Sequence, residues 1–247
     1  HNKRPIDEDA HLDRLERSLA ELGISAPMSR AAMKIVVRET LTRNRIRNGI
    51  VYMQVTRGVA SRDHNYPAGL KPVLVVTARH TNLARRASVL RDGISVVTVP
   101  DQRWARCDIK SISLLPNVLA RQTAKDKGVQ EAWQVAADGL VTEGAATNAW
   151  IVDSAGILPT RPANGGILNG IVRQSIIGLL GELDLKFEER AFSVEEALAA
   201  RECFSTASTL AVFPVVSIDG HNIGDGKPGA VALEIVNQYE QHSLIEI

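Results

Sequence analysis

Lys110 lies in the stretch RCDIKSISLLPNVLARQTAKDKG, residues 106–128, at a predicted junction between a strand and a helix. The apolar-polar alternation before it predicts a strand end, and a helix is predicted from Pro116. A lysine acts as a nucleophile only as a neutral amine, and burial or a neighbouring cation lowers its pKa toward that state. Ile109 and Ile112 flank Lys110, which favours burial. The alternative is a solvated lysine in a connecting loop.

A carboxylate with small neighbours follows in GLVTEGAATNAWIV, where Glu143 precedes Gly144 and two alanines. Residues this small would let a flat ring approach the carboxylate closely. The alternative is a glutamate in a turn that faces water.

Two further segments could bind an anion. In GGILNGIVRQS a glycine-rich loop leads into a predicted helix, whose first amides at Ile171 and Val172 would attract an anion together with the helix dipole. This is not a P-loop, because no Gly-Lys-Ser/Thr follows. In FSTASTLAVFP, the hydroxyls of Thr206, Ser208 and Thr209 lie at a predicted strand end. The alternatives are an ordinary glycine-rich connection and local hydrogen bonding in a turn.

Three basic side chains could bind a carboxylate or a phosphate. Arg62 and His64, in TRGVASRDHNYP, are two residues apart, so on an extended backbone they face the same side. A guanidinium and an imidazole together can hold a carboxylate. Arg14, in HLDRL, falls beside the apolar stripe of a predicted helix and could reach inward to an anion. The alternatives are exposed charges in a hairpin loop and an arginine that lies along the surface.

The elements that must position these residues mix helices and strands without a regular βαβ alternation, which favours an α+β fold. Helices are predicted in DEDAHLDRLERSLAELG, SRAAMKIVVRETLTRN, NGIVRQSIIGLLGEL, SVEEALAA and KPGAVALEIVNQYEQH. Strands are predicted in GIVYMQVTRG, KPVLVVTARH, GISVVTVP, EAWQVAA, KFEER, ECFSTAS and VFPVVSIDG, with a hairpin in NAWIVDSAGILPT. KPVLVVTARH is nearly all apolar, which predicts a central strand.

The polar and basic stretch TNLARRAS interrupts these patterns and predicts a boundary between domains. We therefore expect a small domain over residues 1–82, a linker over 83–88 and a large domain over 89–247. A chain of 247 residues is long enough for two such domains and can bury a sizeable core.

Composition excludes some classes of function. The net charge of +1 gives no overall field that would favour nucleic acid or a membrane surface. No apolar run is long enough to span a bilayer. Cys107 and Cys203 lie far apart without metal-type spacing, which fits unpaired thiols in a reducing compartment. We therefore expect a cytoplasmic protein without a metal site.

Together and in this order, these residues resemble the fold type IV family of pyridoxal 5'-phosphate enzymes. That family includes D-amino acid aminotransferases, branched-chain aminotransferases and aminodeoxychorismate lyases. The resemblance runs from HLDRL to FPVVSIDG, and YMQVTRGVASRDHNYP and CDIKSISLLPNVLARQ resemble the D-amino acid aminotransferase branch in particular. It implies a two-domain α+β fold, with a small α/β domain and a larger pseudo-barrel α/β domain, and a homodimer.

The resemblance also implies a role for each candidate residue. Lys110 would bind pyridoxal 5'-phosphate covalently and then move the proton of the substrate Cα. Glu143 would pair with the protonated ring nitrogen, which keeps the ring an electron sink. Arg62 and His64 would bind the substrate α-carboxylate across a homodimer interface. The groups implied to bind the cofactor phosphate are Arg14, the amides of Ile171 and Val172, and the Ser208 hydroxyl.

The activity implied is transamination between a D-amino acid such as D-alanine and a 2-oxo acid such as 2-oxoglutarate, by a ping-pong route through pyridoxamine phosphate. One alternative is an aminodeoxychorismate lyase, against which the Arg62 and His64 pair argues, because that pair suits a simple α-carboxylate. Others are a branched-chain or amine transaminase and a cofactor-holding protein without turnover.

The chain departs from the family pattern at several positions. Val172 stands where the family often has threonine, which removes one hydroxyl from the phosphate site. Ala145 and Ala146 stand where the branch often has serines. The chain also starts inside the family's small domain, so we expect the N-terminal part of that domain to be missing from it.

Overall fold

The computed structural model describes residues 4–245 and divides the chain into two compact units. The first contains the residues up to Asn82 together with those from Ser243 onward, and the second is Leu83–His242. Among residues 4–245, no helix combines the length and the apolar character that crossing a bilayer requires.

The first unit contains two helices and a two-stranded antiparallel sheet. The helices are α1 (Glu8–Glu21) and α2 (Arg30–Arg43), and the strands are β1 (Gly49–Thr56) and β2 (Val73–His80). Ser29 begins α2 by accepting a hydrogen bond from the amide of Ala32 at 3.3 Å. A small core of Val37, Leu41 and Ile46 packs against the sheet.

The prediction of a central strand in KPVLVVTARH is wrong for the part of the chain that the structure describes. There β2 pairs with β1 alone, and Val73 and Val75 on its outer face are 44% and 43% exposed. An apolar run of β-branched residues favours an extended backbone on either an inner or an outer strand, so the run alone does not fix the strand's position.

The second unit contains most of the helices and a nine-stranded sheet. Its helices are α3 (Leu83–Asp92), α4 (Leu115–Asp126), α5 (Ile171–Leu180), α6 (Val194–Leu198) and α7 (Ala230–Ile245), the last of which ends beyond it. Its strands are β3 (Ile94–Pro100), β4 (Glu131–Val135), β5 (Val141–Gly144), β6 (Asn148–Val152), β7 (Leu158–Thr160), β8 (Phe187–Glu189), β9 (Glu202–Ala207), β10 (Ala211–Ile218) and β11 (His221–Asn222).

Residues 83–88, predicted as a linker, instead form the start of α3. Leucine, alanine and arginine are strong helix formers, so a basic composition does not interrupt a helix here. Val89 lies in the core of the second unit and fixes the helix there, and Gly93, at a φ of 73°, ends it.

The nine strands form one mixed sheet in the order β5-β4-β3-β10-β9-β6-β7-β8, with β11 paired to β10. β3 is parallel to β4 and to β10, and β7 is parallel to β8. The remaining neighbours are antiparallel. This mixture of helices with a mixed sheet is the α+β class that the sequence predicts.

The short connection between β5 and β6 forces the sheet to curl. Four strands separate β5 from β6 in the sheet order, which in a flat sheet would place them about 24 Å apart. Residues 145–147 alone join them, and such a connection reaches at most roughly 14 Å. The amide of Gly144 donates to the carbonyl of Thr147 at 2.7 Å, which closes the turn. The first six strands of the order therefore curl into a half-barrel with β5 and β6 at one seam.

Two buried tryptophans stabilise this half-barrel from opposite faces of its sheet. Trp133 donates its indole N–H to Ser205 Oγ at 2.9 Å, and Trp150 donates to Thr206 Oγ1 at 3.1 Å. Trp150 also stacks on Phe204, with ring centroids 5.5 Å apart. Because both N–H groups are satisfied, the aromatic burial stabilises the sheet without the cost of an unpaired donor.

Candidate active site

Glu143 lies on β5 beside the seam and is 5% exposed. Its Oε1 accepts a hydrogen bond from the amide of Leu168 at 3.1 Å and forms an ion pair with Arg103 Nη1. Its Oε2 accepts from Asn148 Nδ2 at 2.8 Å. The carboxylate is therefore fixed by groups from three separate segments of the second unit.

Burial raises the pKa of Glu143 to about 7, although Arg103 and the Leu168 amide act in the opposite direction. The carboxyl group thus changes its charge near neutral pH. A further cation beside it would favour the ionised form, so Glu143 is suited to hold a protonated ligand group.

Arg103 and Asp101 belong to the same cluster and were not among the residues predicted from the sequence. Asp101 accepts hydrogen bonds from Arg103 Nε at 3.0 Å and Nη2 at 2.7 Å, and from the Thr142 hydroxyl at 2.7 Å. Both residues directly follow the apolar strand β3. An acidic and a basic residue two positions apart at the end of a buried strand is the signal that would have found them.

The prediction that Lys110 is buried at a strand end is wrong. β3 ends at Pro100, and Lys110 lies in the irregular segment 101–114 with an exposed side chain. Its flanking isoleucines differ, since Ile109 is 5% exposed and Ile112 is 68% exposed. One side of the segment therefore packs inward while the other faces out.

The segment that carries Lys110 is nevertheless attached to the Glu143 end of the sheet on both sides. Before it, Arg103 forms the ion pair with Glu143. After it, Asn117 Nδ2 in the first turn of α4 donates to the carbonyl of Ala145 at 2.8 Å. These two attachments hold the segment that contains Lys110 across the end of β5.

The predicted anion site at Ile171 and Val172 begins the ten-residue helix α5, which starts at Ile171 as the sequence indicates. Gly170 occupies the N-cap position, and no side chain caps it. A Cβ at Gly170 would lie 2.1 Å from Asn148 Oδ1, so only glycine permits this close approach. Asn148 also donates to the carbonyl of Leu168 at 2.8 Å, which joins the helix start to Glu143.

The three predicted hydroxyls near the end of β9 differ in their surroundings. Thr206 is 2% exposed and accepts the Trp150 N–H, so this hydroxyl serves the core. Ser208 and Thr209 are exposed in the turn that follows. Thr206 pairs with Asn148 across β9 and β6, so Ser208 lies two residues beyond the level of Asn148.

Three predicted residues lie in the first unit. Arg14 is half-buried on α1, with Nη2 3.4 Å from His11 Nδ1, and burial lowers its pKa to about 10. Arg62 and His64 are exposed in the loop between β1 and β2. Arg57 secures this loop by donating to the Gly23 carbonyl at 2.9 Å and by lying 3.5 Å from the Tyr66 ring centroid.

The second unit fits a ligand with a cationic ring at one end and an anion at the other. With Asp101 and Glu143 ionised, Arg103 balances only one of the two charges, so a protonated ring nitrogen would neutralise the cluster. In the described part of the chain, the buried Thr147 Oγ1 has no hydrogen-bond partner. The uncapped start of α5 supplies amides for a phosphate. These features match pyridoxal 5'-phosphate.

The amino-acid sequence matches a known protein family and individual relatives. Residues 1–218 match the model of the amino-transferase class IV family. The D-alanine aminotransferase of Bacillus licheniformis is 40% identical to this chain over 238 residues, which cover 96% of the chain and 83% of that protein.

Solved structures show the same fold. The branched-chain amino acid aminotransferase of Escherichia coli superposes with a TM-score of 0.87 at 24% identity, covering 96% of this chain and 79% of that one. The branched-chain aminotransferase of Thermobaculum terrenum in its PLP form gives a TM-score of 0.85 at 21% identity, covering 96% and 78% of the two chains.

Replacement of Glu143 by glutamine should change how stability depends on pH in the cofactor-free protein. Folding raises the pKa of Glu143 from 4.5 to about 7. Between these two pH values the folded protein therefore keeps a proton on Glu143 that the unfolded chain has released. The contribution of Glu143 to stability therefore falls as pH rises, by about 2 kcal/mol between pH 5 and 7.

Urea unfolding of the wild type and of Glu143→Gln over this range measures the effect. We expect the wild-type free energy of unfolding to decline relative to that of the variant. Glu188→Gln, at an exposed position on β8, is the control for loss of a carboxylate. If the difference in the free energy of unfolding between the wild type and Glu143→Gln stays constant from pH 5 to 7, the raised pKa of Glu143 is contradicted.

Proposed function

The chain belongs to the class IV aminotransferase family, and we propose that it transfers the amino group between a D-amino acid, such as D-alanine, and a 2-oxo acid, such as 2-oxoglutarate. Pyridoxal 5'-phosphate is the cofactor of this family. The observation that carries the proposal is the buried Glu143 cluster with its single unbalanced negative charge. The identity to the Bacillus licheniformis D-alanine aminotransferase and the Arg62 and His64 pair support a D-amino acid as substrate.

Different residues of the second unit bind different parts of the cofactor. Bound there, pyridoxal 5'-phosphate supplies an aldehyde that takes up the amino group and a ring that accepts the electrons left when Cα loses its proton. Glu143 holds the proton on the ring nitrogen by remaining ionised. The amides of Ile171 and Val172 bind the phosphate with the positive end of α5, and the Ser208 hydroxyl adds a donor at the neighbouring strand end. Arg14 is proposed as a further cation for the phosphate.

Lys110 performs the proton transfer. Its Nζ would hold the cofactor through the aldehyde while substrate is absent. As a free, neutral amine it would then take the proton from the substrate Cα and deliver it to the cofactor carbon that carried the aldehyde. A lysine in an irregular segment fixed at both sides can move between these positions while its backbone stays in place.

The substrate carboxylate is the proposed ligand of Arg62 and His64. A carboxylate held on one side of the ring decides which way the Cα hydrogen points, and Lys110 removes only the hydrogen that faces it. The position of this pair relative to Lys110 therefore sets the preference for the D-isomer.

We also propose that the enzyme is a homodimer in which the loop between β1 and β2 reaches the partner's site. Leu115, Val118 and Leu119 share one face of α4 and are more than half exposed, and Ile112 before them is 68% exposed. A groove of about 690 Å³ runs along α4 and is also lined by Ala145 and Ala146. Apolar side chains clustered in this way mark a protein–protein interface.

The two free thiols, Cys107 and Cys203, suit a cytoplasmic location.

D-alanine should bleach the visible absorption band of the lysine-bound cofactor, whereas L-alanine at the same concentration should leave it unchanged. The reason is that the amino group reaches the aldehyde with the Cα hydrogen facing Lys110 only in the D-isomer. Stopped-flow spectroscopy of the purified holoenzyme with each isomer measures this. Bleaching by L-alanine instead would place the enzyme with the L-specific aminotransferases, and no response to either isomer would refute transamination of alanine.

A mixture of Arg62→Ala and Lys110→Ala should be more active at low substrate concentration than either variant alone if Arg62 acts across the dimer. Arg62→Ala should raise the KM for D-amino acids, and Lys110→Ala should abolish turnover. After mixing and reassociation, half of the dimers are hybrids with one intact site each, so about a quarter of all sites should work at low substrate concentration. Recovery no greater than the sum of the separate variants would show that Arg62 serves its own subunit or no site at all.

A further inference from the structure

Arg103 has an unusual position for an arginine, since its side chain is 6% exposed and lies between two carboxylates. One edge of the guanidinium binds Asp101 through Nε and Nη2, at 3.0 and 2.7 Å. On the other side Nη1 pairs with Glu143 Oε1. Nη2 also lies 3.2 Å from Thr142 Oγ1 and donates to the Gly166 carbonyl at 3.3 Å.

Asp101 keeps the guanidinium in place. Its amide donates to the carbonyl of Val135 at 2.8 Å, and its Oδ2 accepts the Thr142 hydroxyl, so the aspartate is fixed to β4 and β5. Burial alone would raise the pKa of Asp101, but the hydrogen bonds from Arg103 hold it below the usual range. Asp101 is therefore a permanent anion that orients Arg103 toward Glu143.

The two carboxylates are not equivalent. Asp101 takes two hydrogen bonds from the guanidinium, whereas Glu143 takes one and keeps Oε2 for Asn148 and for a ligand. Glu143 is also the more deeply buried group, so its ionised form depends on Arg103 more strongly. Loss of the guanidinium would favour the neutral acid at Glu143.

We propose that Arg103 is a positioning residue that keeps Glu143 ionised and correctly oriented, so that the cofactor ring nitrogen, rather than the carboxylate, carries the proton they share. This inference rests on the proposed function, because it concerns the same carboxylate. Arg103 touches neither substrate nor cofactor in this account and acts only through Glu143.

The direction of the effect follows from distance. The guanidinium contacts the carboxylate directly, and any group that the carboxylate holds lies one hydrogen bond further away. Coulomb interactions weaken with distance, so Arg103 lowers the proton affinity of Glu143 more than it lowers that of the ring nitrogen. Removing Arg103 therefore shifts the proton from the ring to the carboxyl group.

The first test titrates Glu143 in the cofactor-free protein by carbon-13 NMR of labelled glutamate, with Glu143→Gln to assign the signal. In Arg103→Gln the titration midpoint of Glu143 should rise by roughly one pH unit or more, about tenfold in the acid constant. In Asp101→Asn the amide oxygen can still accept a hydrogen bond from Arg103, so the guanidinium stays in place. The midpoint should therefore fall, because the negative charge that repels Glu143 is removed. Local damage to the fold would not move the two variants in opposite directions.

The second test observes the ring nitrogen of nitrogen-15-labelled pyridoxal 5'-phosphate bound to each protein. Its chemical shift should be that of a protonated ring in the wild type and should move toward the neutral ring in Arg103→Gln. Arg103→Lys, which keeps the positive charge, should retain the wild-type signal. Arg161→Gln is the matched control, because Arg161 donates to the Val141 carbonyl near the same site at 3.4 Å.

An unchanged Glu143 midpoint in Arg103→Gln, or a ring that stays protonated in that variant, overturns the inference. If Arg103→Gln does not fold, a midpoint in Asp101→Asn that fails to fall has the same consequence. A wild-type protein that binds no pyridoxal 5'-phosphate would refute the proposed function instead, and the cofactor-free titration would still decide the role of Arg103.

Discussion

Residues 145–147 connect two strands that stand five positions apart in the sheet order, and the rest of the second unit is arranged around that connection. Because the link is so short, the intervening strands curl until β5 and β6 meet. Glu143 then lies at the end of one strand and Asn148 at the start of the other, 2.8 Å apart through their side chains. Asn148 in turn reaches the loop before α5, so a single seam brings the carboxylate and the helix start together.

The seam also determines the electrostatics of the site. A carboxylate this deeply buried would ordinarily be neutral, and the ion pair with Arg103 opposes that tendency. With both carboxylates ionised, Asp101 and Glu143 carry two negative charges and Arg103 carries one positive charge, so the cluster lacks one cation. In the proposed function, a protonated ring nitrogen would supply that cation, and the first amides of α5 would bind the phosphate at the other end of the same cofactor.

Local patterns predicted much of this architecture. The hairpin of β6 and β7 turns at Asp153, whose Oδ1 accepts from the amides of Ala155 and Ile157 at 2.8 and 2.9 Å. Helix α6 begins with the capping box of Ser193 and Glu196. These features depend on residues a few positions apart, whose chemistry is visible in the sequence.

What the sequence alone could not predict depends on contacts between distant residues. Arg103 and Glu143 are 40 positions apart, and the pairing of β4 with both β3 and β5 brings them together. The exposure of Lys110 has a related cause, since flanking isoleucines do not reveal which side of an irregular segment packs inward. The roles of Lys110, Glu143, Arg14 and the phosphate-site residues remain predictions, based on the resemblance and on the geometry of each unit.

The measurement that tests the central claim most directly is chemical trapping of the cofactor. Reduction of the holoenzyme with borohydride fixes the cofactor to the lysine that holds it, and trypsin then fails to cleave after that lysine. We expect a phosphopyridoxyl group on the peptide spanning residues 107–121, with cleavage after Lys110 lost. Cleavage after Lys110 together with the label on Lys125, Lys186 or another lysine would contradict it.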